Sequence, residues 1–405
     1  WYYYLHQLTR RGLLLFSARA ASGRLATLVP TSAAFVFPSR EAVPDCPHLL
    51  SRFAYTRRSG GDMVLESPLS AARVVLHDGR AAALVHALAR PARAQELAAR
   101  VQDLPPGDVA RLLGLLVNAG MISEVDDAGT AAEEARAALQ SWEFHDLLFH
   151  ARSREGRHDG PVGATYPLAG QRDPPPALKP AAAGARIDLY RPDLDRLERE
   201  DPPFARVQER RRSIREYGTQ PLTAEQLGEF LYRVARVREC RELEVDTPAG
   251  PVRMGFTSRP YPAGGALYEL ELYPVVGACA GLAPGLYHYD PLDHRLAHRA
   301  GRTALVEPLL RDAALSAGIA SADVQVLLVL AARFGRVAWK YTTLAYALTL
   351  KHVGVVHQTM YLAATAMGLA PCALGAGNAD DFARAADTDY YAETSVGEFL
   401  LGSKK

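Results

Sequence analysis

The sequence predicts an α+β fold, and three stretches carry that prediction. Residues 323–334 (DVQVLLVLAARF) form a short run rich in Val and Leu, bounded by polar residues, which reads as a buried strand. From Gly335 to Met367 the chain is rich in Ala and Leu and free of Pro, a long helical pattern that Gly368 ends. Upstream, LYELELYPVV (267–276) alternates as a strand does, and GLYHYDPLDHRL (285–296) reads as a hairpin turning at Asp290-Pro291.

A chain of 405 residues, 48% hydrophobic and 22% charged, is a globular chain of two or three domains. A net charge of +1 supplies no bulk attraction for nucleic acid or an anionic membrane. Cys46, Cys240, Cys279 and Cys372 show neither CxxC nor Cys/His ligand spacing, which argues against a disulfide framework or zinc site and for a reducing cytoplasm. No apolar run reaches the roughly 18 residues of a membrane span, and no signal peptide is visible. Because the chain begins at Trp1, its true start is expected to be missing or trimmed.

In order, residues 1–78 offer short β-like pieces: GLLLF (12–16), RLATLVP (24–30) and AAFVF (33–37). A hairpin across Ser59-Gly60-Gly61 follows them. Three helical segments come next, at 80–90, 93–101 and 107–120. In the third, Val109, Leu112, Leu113 and Leu116 fall at helical spacing. MISEV (121–125) then reads as a strand. Helix, helix, helix, strand is the layout of a winged helix, possibly in tandem. Its third helix carries only Asp108, Arg111 and Asn118 as polar residues, with no basic stripe for phosphates, so docking of a peptide or a structural role is preferred to DNA binding.

Residues 126–140 read as a polar linker that becomes helical. His145, His150 and His158 follow without an acidic or thiol partner at ligand spacing, so no metal is expected. The Pro- and Gly-rich stretch 160–184 reads as an extended arm and a domain boundary. The expected division is 1–130 for a winged-helix-like peptide- or partner-binding region, 131–185 for linker and arm, and 186–405 for the catalytic domain. Within the last, 205–217 (ARVQERRRSIREY) is a helix ending in a cationic cluster. A second helix, 222–237, has Thr223 and Gln226 as a capping box. A further helical region spans Thr303 to Ala317.

Four places could carry chemistry. Arg211, Arg212, Ser213 and Arg215 put guanidiniums and a hydroxyl where a phosphate could be forked, or form a solvated basic helix face. Pro262, Ala263, Gly264 and Gly265 make a stiff loop without side chains, able to meet a flat ring or merely to turn tightly. Leu374, Gly375, Ala376 and Gly377 offer backbone N–H groups to a heteroatom. Lys340 and Tyr341 set a cation beside a phenol, either as chemistry or as a snorkelling Lys and a packed Tyr. Neighbours on a helix point about 100° apart, so the pair is expected to flank a substrate without touching.

Taken together and in this order, these motifs resemble the nitroreductase-like flavin fold, an antiparallel-rich sheet flanked by helices. Within it they resemble the SagB-type dehydrogenases, FMN-dependent azoline oxidases of ribosomally made peptides. The resemblance rests on RRSIREY, RPYPAGGALYELELYPVV, GLYHYDPLDHRL, WKYTTLAYALTLKHVGVVHQTMYLAATAMGLAP and LGAG, with LSRFAYTRRSGGDMVLESP and SWEFHDLLFHARSREGRH matching longer members. It implies FMN as cofactor, with Arg211, Arg212, Ser213 and Arg215 on its phosphate and ribityl chain. It also places Pro262–Gly265 against the ring and Leu374–Gly377 at its N5/O4 edge. Lys340 and Tyr341 would be catalytic, either of them the base. An azoline-containing precursor peptide, a cyclodehydratase partner, oxygen as reoxidant and a homodimer are implied too. Ala345, Ala347, Gly354, Ala363 and Ala364 are small enough for close helix contact. This sequence departs from the family's pattern in having Ala263 where Ser is common and Lys351-His352 where an acidic residue is common. The Lys404-Lys405 end is expected to be a truncation, which leaves a C-terminal phosphate contact open. The alternatives are an NAD(P)H-dependent nitro- or flavin reductase on the same fold, and a non-catalytic partner-binding scaffold.

Overall fold

The computed structural model describes residues 1–11, 13–36, 45–180 and 184–405. They form two compact units, Trp1–Val162 and Gly163–Lys405. The division therefore falls inside the expected arm: residues 131–162 fold with the N-terminal unit and 163–185 with the C-terminal one. Residues 12, 37 and 181–183, parts of two expected strands and of the arm, lie outside the described residues.

The N-terminal unit contains a five-stranded antiparallel sheet in the order Phe16–Ala20, Gly23–Pro30, Ala72–Leu76, Asp62–Glu66, Tyr55–Ser59. Residues 13–15 and 33–36, expected in strands, carry none. Helices Gly79–Ala87, Ala94–Arg100 and Pro106–Asn118 share one core with that sheet, through Leu25, Leu28, Leu65, Val74, Leu84, Leu97 and Leu112. The strand after them, Ile122–Glu124, pairs back to His48–Leu50, and a single bridge joins Val125 to Ala131. Arg111 in the third helix is paired with Asp108 and is not a free cation. His145 lies beside Asp146, His150 packs 5.4 Å from the Trp142 ring, and His158 bonds the Arg154 carbonyl.

The C-terminal unit is built on a seven-stranded antiparallel sheet, in the order Ala370–Leu374, Glu393–Gly402, Val326–Arg333, Leu270–Val276, Gly285–Asp290, Arg295–Gly301, Arg186–Asp188. Both faces are covered, which explains why Val326–Arg333 reads as an unbroken apolar run. Val326, Leu328 and Leu330 face the helices Ala224–Ala235 and Ala345–Ala366, while Leu327 and Val329 face Glu307–Ala317 and Ala379–Ala386. The Thr223–Gln226 capping box forms as the sequence predicts. The Leu270–Val276 strand alternates in sequence yet is buried throughout, so Glu269 and Glu271 lie inside the protein. Charges placed there need partners, and both have them: His352 for Glu269, and His288 and Arg333 for Glu271.

The largest departure concerns the long helix. It is two helices, Phe334–Ala338 and the central helix Ala345–Ala366, separated by a short strand at Tyr341–Thr342. Thr343 takes φ 71°, a left-handed conformation that costs a β-branched residue roughly 1–3 kcal/mol. Absence of Pro left the periodicity intact in sequence, but the backbone of 340–342 bonds to a distant segment and leaves the helix. Leu374 likewise ends a strand, with only Gly375–Gly377 in the turn.

Candidate active site

At the loop following Ser258, Gly264 N–H donates to His352 Nε2 at 2.7 Å, and His352 Nδ1 bonds Glu269 Oε1 at 2.7 Å. Since Nε2 accepts, the imidazole is the neutral tautomer protonated on Nδ1. This buried relay from the central helix fixes the loop. Gly265 (φ 64°), Ala266 (φ 55°) and Tyr268 (φ 45°) all take left-handed backbone, the kind of local strain that collects at functional sites.

Lys340 and Tyr341 meet at this loop. A Cβ placed on Gly265 would lie 2.7 Å from Tyr341 Oη and 2.9 Å from Lys340 Nζ. The two side chains therefore reach the same point of the loop, and they do so from the break between helices and not from one helix. Lys340 Nζ lies 5.5 Å from the Tyr341 ring centre and 6.0 Å from those of Tyr166 and Phe256. Burial, with Arg336 nearby, pulls the Lys340 amine below its ordinary value. Burial, with Tyr166 nearby, pushes the Tyr341 phenol up. An ammonium does not activate the phenol here; the low-polarity surround acts on both groups and favours their neutral forms. Arg336 itself is fully buried and donates to the carbonyls of Leu267, Pro175 and Gly255, tying together the loop, the arm and the hairpin Glu239–Thr247/Gly250–Ser258.

The cationic cluster occupies extended backbone after the helix Phe204–Arg210, so it is not a helix face. Ile214 N–H donates to the Pro371 carbonyl at 2.8 Å, and Ser213 Oγ lies 2.6 Å from Tyr361 Oη. The Arg211 guanidinium lies 5.2 Å over the Tyr361 ring, and Tyr361 Oη accepts the Ala373 N–H at 2.8 Å. Among the described residues, no carboxylate forms an ion pair with Arg211, Arg212 or Arg215. Beyond the strand Ala370–Leu374, a Cβ on Gly375 would meet nothing within 4 Å, whereas one on Gly377 would strike the Glu398 carboxyl. A side chain at Gly377 would displace the end of the Glu398 side chain, whereas Gly375 is the open position of that turn.

The central helix connects these pieces. His352 holds the glycine loop, Val353 and His357 press on Gly397, and Tyr361 holds the cationic segment. From His352 to Tyr361 the helix rises about 13–14 Å, which suits a ligand with an anionic tail and a flat head. Guanidiniums without carboxylate partners among the described residues, the Ser213 hydroxyl beside them and two glycine turns fit a phosphorylated flavin. Pro262 and Ala263 flank the loop, and Ala263 packs on the core through its methyl. The sequence alone did not single out Glu269, Tyr361 and Tyr166, and it left His352 without a role. Only the Gly-loop and RRSIREY motifs hinted that something must hold them.

Comparison with known proteins gives two family matches. The family described as cyanobactin oxidase ThcOx matches residues 48–159, and the nitroreductase family matches 209–402. A protein of Methanocaldococcus jannaschii named as a nitroreductase is 30% identical over 201 residues, covering 48% of this chain and 86% of that protein. Solved structures of low similarity include a nitroreductase of Ralstonia eutropha, with 20% identity, TM-score 0.41, and coverage of 61% of this chain and 99% of that one. Another is a chain of the E. coli microcin synthetase McbBCD complex with truncated pro-MccB17 bound, with 19% identity, TM-score 0.39, and coverage of 59% and 81%. Among the described residues no helix is long and apolar enough to cross a membrane. The chain belongs to the nitroreductase family and joins to that domain, within its N-terminal unit, a region matching the cyanobactin oxidases.

Proposed function

We propose that this protein is an FMN-dependent dehydrogenase that oxidises thiazoline or oxazoline rings in a ribosomally made peptide to thiazoles or oxazoles. The observation that carries this reading is the meeting of the Lys340 amine and the Tyr341 phenol at Gly265, in a chain combining the two family regions. Aromatising an azoline removes one proton and one hydride. Bound FMN supplies the two-electron acceptor. The protein must supply a base and hold the ring. The lowered Lys340 amine is the proton acceptor, because burial raises its neutral fraction, while the Tyr341 phenol keeps its proton and donates a hydrogen bond to the ring heteroatoms. Arg211, Arg212, Ser213 and Arg215 hold the phosphate and ribityl chain. Gly264 and Gly265, flanked by Pro262 and Ala263, would hold the ring system, and Gly375 and Ala376, between Leu374 and Gly377, would offer backbone N–H groups to its polar edge.

The peptide partner is assigned to the N-terminal unit. There a cavity of about 490 Å³ is lined by Leu69, Leu139, Trp142, Arg136, Arg154 and Arg157. None of its three arginines forms an ion pair among the described residues. An apolar floor with a rim of three arginines and one carboxylate, Glu155, suits a partly apolar peptide segment with net negative charge. A cyclodehydratase partner, a cytoplasmic setting and a homodimer belong to the same reading. Gly354 is exposed on the central helix for that dimer and Ala345, Ala347 and Ala363 are half-buried, but Ala364 is in the core and is excluded from it. The test is incubation of the FMN-loaded protein with an azoline peptide, followed by mass spectrometry for loss of H2 per ring. Rapid bleaching of the flavin by NADPH with no mass loss would instead identify a nitro- or flavin reductase.

A further inference from the structure

The segment Gly163–Arg172 lies between the two family matches, which end at residue 159 and resume at 209. Read as a linker it would be a tether, yet it is fastened to the backbone that carries Lys340 and Tyr341. Gly163 and Ala164 pair with Thr342 and Tyr341 in a two-stranded ladder. The Tyr166 N–H donates to the Lys340 carbonyl at 3.0 Å, and the hydroxyls of Thr165 and Thr342 are hydrogen-bonded. Trp339 Nε1–H donates to the Arg172 carbonyl at 2.8 Å. Tyr166 adopts φ 50°, unfavourable for a bulky residue, and its ring stands edge-on to Trp339 at 5.7 Å. Strain of this kind persists only where surrounding contacts over-determine it.

The result is an aromatic enclosure of the Lys340 amine by Tyr166 from the strap, Phe256 from the hairpin and Tyr341. The charged or titratable groups facing it are Tyr166, Tyr341 and Arg336, with the Glu269–His352 pair beyond Gly264. No carboxylate forms an ion pair with Lys340 among the described residues.

We infer that Tyr166 is a positioning residue for Lys340, seated by the 163–172 strap so that the amine stays out of bulk water between three rings. Two consequences oppose each other when the ring is removed. Loss of cation–π attraction would destabilise the ammonium, whereas admission of water would stabilise it. At 6.0 Å the first effect is at the limit of its range, so solvation wins.

The inference deepens the reading of Lys340 as the base, and the experiment separates the two. Labelling of Lys340 by trinitrobenzenesulfonate is followed by peptide mapping against pH, on the full chain without substrate. Tyr166→Phe keeps the ring and is expected to leave the labelling midpoint where it is in the parent. Tyr166→Leu is expected to raise it by roughly half to one pH unit, toward that of an ordinary lysine. Thr165→Val, which loosens the strap without touching the ring, is expected to move it the same way by less, and it serves if the Leu variant fails to fold. An unchanged midpoint in folded Tyr166→Leu, or in Thr165→Val if the Leu variant does not fold, overturns the inference. A raised midpoint with an unshifted pH profile of azole formation upholds the positioning role and removes Lys340 as the base.

Discussion

At the cationic end of the site, Arg211, Arg212, Ser213 and Arg215 come from five consecutive residues in extended backbone and reach solvent. At the ring end, Gly265, Lys340, Tyr341 and Tyr166 come from three separate segments and are mostly half-buried. The first end needs only charge in reach of an anion, so local sequence suffices. The second needs groups with altered ionisation, and burial of that kind exists only after distant segments have come together. The difference predicts that substitutions at the cationic end act on cofactor affinity, and those at the ring end on rate.

The sharpest break is Lys340→Ala. Azole formation should fall roughly 100- to 10,000-fold, the usual contribution of a positioned base, with the flavin spectrum retained. In the parent the rate should rise with pH, because deprotonation of the amine creates the base, with a midpoint below the ordinary 10.5. Next, Arg211→Ala or Arg215→Ala should weaken FMN about 10- to 100-fold by fluorescence titration, the worth of a charge-assisted bond, and high salt should weaken the parent likewise. Equal loss of rate and affinity at both ends would dissolve the distinction.

Two histidines of the central helix, His352 buried and His357 half-buried, sharpen it further. His352 has partners on both ring nitrogens, whereas His357 Nε2 has none among the described residues. His352→Ala should cost about 1–3 kcal/mol in urea unfolding, because it orphans Glu269 and the Gly264 N–H. Burial lowers His357 to about 4 from the ordinary 6.5. The unfolded chain thus takes up that proton first, and stability is lost as pH falls from about 6.5 toward 4. His357→Phe should flatten this slope and change little above pH 7. Smallest is Tyr361→Phe, which removes one hydroxyl shared by Ser213 and Ala373 and should cost about 1 kcal/mol in stability.

Hydrophobic periodicity and glycine position determined much of this protein from sequence alone. The Val326–Arg333 strand, the Asp290-Pro291 hairpin turn, the Thr223 cap, the cationic cluster and the glycine loop are all local patterns, readable because period and turn chemistry are local physics. Tertiary structure alone decided that Leu270–Val276 is buried on both sides, that Glu269 pairs with His352, and that the chain leaves the helix at Lys340–Thr343 to pair with Gly163–Ala164. The last two of these depend on a partner 80 or more residues away. Such a partner changes the water and charge around a residue without leaving a mark on its neighbours in sequence.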